Sequence, residues 1–549
     1  MSQQSPNNFM DSRTLIALVL LGFAWFGWQS YLQNKYPEAY KQKSEQTLAV
    51  DAESAEKVSE RQPGEPEQTV ASEDSLVDSG KEQERPKIEL NTDSPEQTFY
   101  YSNDKVAFEL SSKGMGFNSF TINDHFDRAR EPYSFKSSKG FRILETRLLG
   151  RSNALNFDVQ KIGPGAYVGT ARVGEMTIKK AIEIDPTSYL VKTKVDVKNA
   201  DASFIGTETA LELKLKDIET SSFLPTFERQ EFFSYGSEGE ERVLIDTSEP
   251  LKETATSVKV ASVGTQYFSQ AIVDKSKIAP EFEYSVKKGG PHAIGKLKYS
   301  ALNKENFSLE YEAYIGPKYL NVMEKIDPSL ASVIDFGFFS WLAKPMLQLL
   351  KLFYGFIGNW GVAIILLTLL IRMIVLPFTV MSYKSMNKMK VIQPRIKELR
   401  EKYKDDAQKL NQEMMVLMKE NKVNPLGGCL PMLLQFPVFI ALYQVLGQSV
   451  ELYQAPFAFW IQDLSLKDPY YVLPVLMGAT MFVQQKITPN TMDPQQAKVM
   501  MFLPLVFVLF MVGLPSGLTL YIFVSSLFAI LQQFVFMRDT IVSKEIQTA

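Results

Sequence analysis

Two kinds of apolar pattern divide this chain. Six uninterrupted runs, Thr14–Leu32, Gly355–Met381, Gly428–Leu446, Tyr471–Gln485, Val499–Leu514 and Leu518–Phe536, read as transmembrane helices. Between the first and second runs the pattern changes to period two. Val106, Phe108 and Leu110 alternate with polar neighbours, as do Tyr189, Val191, Thr193, Val195 and Val197, and again Phe307, Leu309, Tyr311 and Ala313. Gly163-Pro164-Gly165 and Gly289-Gly290-Pro291 punctuate these stretches. Alternation broken by turn clusters marks half-buried antiparallel strands, so residues 96–327 are expected to form one large all-β domain of sandwich type.

The remaining segments are polar or only partly apolar. Residues 35–95 are rich in Glu, Ser, Gln and Asp, with almost no aromatics after Tyr40. Such a composition buries too little apolar surface to offset ordering entropy, which predicts a disordered linker. Residues 328–344 place Ile334, Phe338 and Trp341, with Pro345 just beyond, on one side of a helix too short to span. It is expected in the membrane interface, with a linker helix packed on the β-domain as the alternative. Residues 383–426 carry two stripes at helical spacing: Met389, Ile392, Ile396, Leu399 and Tyr403, then Ala407, Leu410, Met414 and Leu417. With Lys404-Asp405-Asp406 between them they predict an antiparallel hairpin. Asp406 should cap its second helix, and Pro394 should kink or divide its first. A docking arm and a passive solvated hairpin both remain open.

Charge orients the whole. Tyr383–Pro425 contains 11 Lys/Arg against 6 Asp/Glu, which assigns this segment to the cytoplasm. Parity then puts the β-domain outside and both termini inside. Gln29-Ser30-Tyr31-Leu32 offers no small-x-small cleavage pattern, favouring an uncleaved signal anchor over a removed signal peptide. The expected order is an anchor helix (1–34), linker (35–95), β-domain (96–327) and interfacial helix (328–344). A five-helix membrane core (345–382 and 427–536) follows, holding the hairpin (383–426), with a cytoplasmic tail (537–549).

Composition narrows the chemistry. The mean hydropathy of −0.10 averages a polar first part with an apolar second one. Cys429 is the single cysteine, and His125 and His292 are the only histidines, so disulfide frameworks, cysteine-ligated zinc and histidine clusters are excluded. No nucleotide-binding Gly-rich Lys-Ser/Thr loop is present, and basic residues are too dispersed for a duplex-binding face. We expect no catalytic residues, no metal and no cofactor. Asp124, His125 and Asp127 form a tempting group but read as surface residues of a strand connection.

One charge stands apart. Arg372 lies near the middle of Gly355–Met381, and no Asp, Glu, Lys or His occurs in the other C-terminal runs. A cation near the bilayer centre costs at least about 2.5–3.5 kcal/mol. It is about 18 Å of helix short of Lys384, so its side chain reaches only part of the way to the surface. A snorkelling residue, a structural bond and a hydrated intramembrane cavity are the three readings. Thr368 lies one turn before it, and Gln435, Tyr521 and Ser525 are polar groups able to complete a lining. Phe436, Phe439, Phe507 and Phe510, with Val438 and Leu503, offer bulky apolar surface instead.

Three stretches carry a resemblance: NPLGGCLPMLLQFPVFIALYQVL (Asn424–Leu446), APFAFWIQDLSLKDPYYVLPVLMG (Ala455–Gly478) and LPSGLTLYIFVSS (Leu514–Ser526). They resemble the Gram-negative type of the YidC/Oxa/Alb membrane protein insertase family, and LLIRMIVLP (Leu369–Pro377) is similar to its groove segment. The resemblance implies a polytopic α-helical protein of six transmembrane helices. Five would form a core around a hydrophilic groove, beside a large periplasmic β-super-sandwich. It also implies an insertase and chaperone of the bacterial inner membrane, not an enzyme. Arg372, Thr368, Gln435, Tyr521 and Ser525 would line the groove, with Phe436, Phe439, Phe507 and Phe510 as the apolar exit. Nascent inner-membrane proteins, the Sec translocon, the translating ribosome at the cytoplasmic loops and the bilayer are the implied partners. Two other classes stay in play: a small-solute transporter, which usually shows paired repeats, and a membrane-anchored periplasmic glycan-binding protein.

Overall fold

The computed structural model describes residues 95–548, except 138–140, 152, 201–203, 216–228, 246–249, 301–303, 404–405, 422–429, 489–501, 503 and 510. The anchor run Thr14–Leu32 and the linker up to residue 94 lie outside the described residues. Eighteen strands are described, β1 (Thr98–Ser102) to β18 (Phe307–Pro317), all paired antiparallel. They build three sheets. β1–β4 form a meander, while β5 (Thr146–Leu148), β10 (Gly206–Lys214), β13 (Leu251–Ala255), β16 (Glu281–Val286) and β17 (His292–Ser300) form a second sheet. The nine others form the third, with β18 between β9 (Leu190–Lys198) and β15 (Phe268–Asp274).

The sequence alternation maps onto the core. Val191, Thr193, Val195 and Val197 of β9 face inward, as do Leu309, Tyr311 and Ala313 of β18. Gly165, with φ +73°, makes the expected turn between β6 (Asp158–Gly163) and β7 (Ala166–Val173). Within β8 (Met176–Ile184) the inward row is Met176, Ile178, Lys180, Ile182 and Ile184, so a lysine stands where the pattern requires an apolar side chain. Its ammonium donates to the carbonyls of Gly114, Met115 and Leu144 at 3.1, 3.0 and 2.6 Å. All three residues hold left-handed backbone, with φ of +65°, +42° and +58°. Burial pulls the Lys180 ammonium down to about 7, opposed by Glu145.

Among the described residues, seven α-helices with defined bounds follow. α1 (Leu320–Ile326) leads into a 3-10 turn, Pro328–Val333, capped by the Asp327 carboxylate accepting from the Ser329 N–H. α2 (Ser340–Ile357) ends at Gly358, whose φ is +71°. The interfacial helix expected over 328–344 thus begins at Ser340 and runs on to Ile357. Pro328 and the left-handed Gly337 keep the aromatic stretch before it out of the helix, and Ile334 packs inward while Phe338 is exposed. α2 buries Ala343, Met346, Leu347 and Leu350 and leaves Trp341 (68%) and Phe356 (80%) exposed.

α3 (Trp360–Lys402) starts with Asn359 accepting from the Val362 N–H and continues through both Pro377 and Pro394. Pro394 therefore does not divide it. α4 (Ala407–Glu420) begins at Asp406, whose side chain accepts from the Lys409 N–H, as the sequence predicts. Ile392, Ile396 and Leu417 close the hairpin seam, flanked by Met389, Leu399, Met414 and Met418. α5 (Leu430–Gln448), α6 (Val472–Ile487) and α7 (Ser516–Thr548) come next. Trp360–Met389 and Ser516–Val535 are long and apolar enough to cross a membrane, and Val472–Ile487 is a shorter apolar helix. The run Val499–Leu514 is only partly described.

α3 and α7 start from one loop. Asn359 donates to the Phe457 carbonyl at 2.9 Å, and Ser516 donates to that of Leu466 at 2.7 Å. The two helices consequently run parallel, side by side. The same loop meets the β-domain: Arg128 pairs with Asp463 at 2.7 Å and stacks over the Tyr453 ring, and Gln454 donates to the Asp127 carbonyl.

Candidate functional site: a polar seam between membrane helices

An arginine in an apolar helix needs hydrogen-bond acceptors or water. Arg372 is half-buried on α3 and turns to α7, where its Nε donates to the Ser525 hydroxyl at 2.9 Å and a second guanidinium nitrogen reaches the same oxygen. No carboxylate pairs with it among the described residues. One turn up α7, the buried Tyr521 hydroxyl accepts from the Gln435 amide of α5. Three helices are thereby joined by neutral side chains around one cation. Thr368 is fully buried one turn before Arg372, and its hydroxyl is occupied by the Ile364 carbonyl at 2.6 Å. That is the usual fate of a helical threonine.

The apolar residues separate from this seam. Phe436 adjoins Gln435 in sequence yet is 61% exposed, while Phe439 and Phe507 are half-buried and Phe510 lies outside the described residues. A cleft lined by Tyr133, Gln266, Phe268 and Tyr453, at the junction with the β-domain, involves none of the groove candidates.

Asp124 and His125 lie at the end of β3 (Phe117–Phe126). His125 bridges Asp124 and the Tyr319 hydroxyl at 2.9 and 3.0 Å, and Asp124 also accepts from Tyr189 and Lys105. Burial opposes ionisation of Asp124, but His125, Lys105 and Tyr189 together hold its carboxyl well below the usual range. Asp127 accepts from the Ala129 and Glu131 N–H groups of the next turn. These are structural uses, and among the described residues no three His, Cys, Asp or Glu side chains gather as a metal site.

Residues 352–544 match the family described as 60Kd inner membrane protein, and residues 167–349 match the YidC periplasmic domain. A membrane protein insertase YidC of Magnetococcus marinus is 33% identical over a 563-residue alignment covering 96% of this chain and 99% of that one. The chain belongs to the YidC family of membrane protein insertases. A Shewanella pealeana YidC insertase is 43% identical over 323 residues, 58% of this chain and 59% of that relative. A YidC insertase crystal structure with its first transmembrane domain resolved covers 82% of this chain and 94% of its own, with 17% identity and a TM-score of 0.36. The YidC assignment rests on the sequence relatives. It makes this an inner-membrane insertase with a periplasmic β-sandwich and a helical membrane part, outside any enzyme class.

The same two helices carry further buried polar groups that the sequence reading did not single out. Ser382 on α3 and Gln532 and Gln533 on α7 are buried and polar, yet each blends into an apolar or mixed run. The available signal was helical phase: Gln532 lies seven residues beyond Ser525, within about 20° of the same face.

Proposed function

We propose that Arg372 is the binding charge of an intramembrane groove that receives the polar segment of a nascent inner-membrane protein. Thr368, Gln435, Tyr521 and Ser525 line this groove. The adjoining apolar span leaves past Phe436, Phe439, Phe507 and Phe510 into lipid. One observation carries this reading: the guanidinium is anchored by a neutral hydroxyl, Ser525, and meets no carboxylate among the described residues. A cation held by dipoles in low-dielectric surroundings keeps its attraction for an incoming anion.

No covalent step is needed. A polar tail entering the seam crosses a shortened hydrocarbon barrier, and hydrophobic partitioning carries its apolar neighbour outward. An inside-negative potential assists an acidic tail by about 2.3 kcal/mol per charge per 100 mV. The reading includes six spans with both termini cytoplasmic, supported by the basic hairpin between α3 and α5. It also includes work with the Sec translocon, and ribosome contact through that hairpin, whose α4 end exposes Met415 and Val416.

Insertion of a short membrane protein into proteoliposomes tests it, by protease protection of the translocated tail. Arg372→Ala should lower insertion of an acidic tail about tenfold, the factor carried by ~1.4 kcal/mol, and leave an uncharged tail near the wild-type rate. Equal impairment of both tails would sink the attraction mechanism.

A further inference from the structure

The polar seam repeats. On α3, Thr368, Arg372 and Thr379 are spaced by four and then seven residues. On α7, Tyr521, Ser525 and Gln532 have the same spacing. The contact of Arg372 with Ser525 sets the register of these parallel helices, with partners 153 residues apart. Carried one heptad further, about 10 Å toward the cytoplasmic end, that register brings Thr379 level with Gln532. Both are buried, Gln532 to 5% exposure. The Thr379 hydroxyl is spent on the Val375 carbonyl at 3.1 Å. Gln532 has neither its amide nitrogen nor its oxygen bonded, and the Ser382 hydroxyl and Gln533 nitrogen are likewise without partners among the described residues. Gln533 touches the end of α6 through Thr488, at 3.4 Å.

An amide left unbonded in an apolar interior is unfavourable by amounts that ordinary proteins avoid. Here Gln532 lies within about 20° of the Ser525 face, and Ser382 and Gln533, each about 80° from the phase of the Arg372–Ser525 contact, add further buried polar groups on the same two helices. A primary amide offers a donor and an acceptor side by side, the complement of a peptide group. We propose that Gln532, with Ser382 and Gln533, forms a second and uncharged station of the groove that binds main-chain amide groups of the substrate in transit. This rests on the groove reading above and adds a division of labour. Arg372 selects for acidic side chains, whereas the glutamine station acts on any polypeptide.

The test compares Gln532→Leu, Gln532→Asn and Arg372→Ala with wild type in the proteoliposome assay, using one acidic and one uncharged polar tail. Gln532→Leu should slow both tails alike, by about fivefold per hydrogen bond lost, with Gln532→Asn recovering most of the rate. Wild-type rates in Gln532→Leu would mean a water-filled structural site and overturn the station. An effect confined to the acidic tail would overturn it too, since Gln532 would then act through Arg372. Equal slowing of both tails in Arg372→Ala, with the Gln532 effect intact, overturns the charge reading alone. Should Gln532→Leu fail to accumulate, Gln532→Cys in a Cys429→Ser background is tested for disulfide formation with a cysteine in a stalled tail. Formation supports the station; none at 532, with Ser525→Cys reacting as control, overturns it.

Discussion

The β-domain and the membrane helices both bury cations, and they stabilise them by opposite means. In the β-domain, Glu231 accepts from Arg242 at 2.7 Å and from Lys318 at 2.8 Å, and Arg242 also donates to the Ser332 carbonyl. Burial pushes the Glu231 carboxyl up, but the two cations outweigh it and hold it down at about 2. Lys180 has no direct carboxylate contact but places its three donors on three carbonyls. Such sites are closed, with no capacity left for a passing group. In the membrane part, Arg372 shares one hydroxyl between two nitrogens and has no other hydrogen-bond partner among the described residues. The difference separates a cation whose donors are spent within the fold from one whose donors are only partly used among the described residues.

Three changes would break or sharpen this contrast. The largest effect is expected from Lys318→Met, which leaves Glu231 with one cation: about 3 kcal/mol of stability is lost, read by thermal unfolding of the full chain in detergent. Glu231 contributes stability that is complete above its unfolded value near 4.5 and lost as pH falls through about 2. Lys318→Met should therefore move the acid limb to higher pH. An unchanged acid limb would show that Arg242 alone suffices.

Lys180→Met comes next, at about 2 kcal/mol for carbonyls left unpaired. The folded ammonium titrates near 7 and the unfolded one near 10.5, so the unfolded chain binds more protons between these values. Wild-type stability should accordingly rise with pH from about 7 upward, and the variant should lack that slope. The smallest effect belongs to Arg128 and Asp463, a partly exposed pair at the junction of the two regions. A double-mutant cycle should give a coupling under about 1 kcal/mol; a larger value would make this contact a principal tie between them.

Much of this was legible in the chain, unevenly. Strands showed because alternation reports one buried face, and the hairpin showed because its stripes and its Asp406 cap are local features. Lys180 was hidden by its own charge: period two put it inward, but a lysine reads as solvent-facing unless three carbonyls are known to wait for it. Helix bounds failed where proline and aromatic content were weighed against packing. Pro394 removes one hydrogen bond from a helix that neighbouring turns still hold, and the aromatic stretch before Ser340 is packed without being helical. Arg372 stood out alone, yet its partner Ser525 lies 153 residues away. Gln532 escaped notice because polarity inside a span acquires meaning only from the register of a second helix.

The unbroken course of α3 has a mechanical meaning. One shaft carries Arg372 and, about 45 Å further on, the tip of the hairpin at Lys402. No loop interrupts the path between the tip and the guanidinium, so bending of the rod falls at its prolines. Pro377 and Pro394 are its compliant points, since each lacks one backbone hydrogen bond and bending concentrates there. α3 is thus a single lever with two built-in flexures, the hairpin tip at one end and the Arg372 segment beyond both prolines.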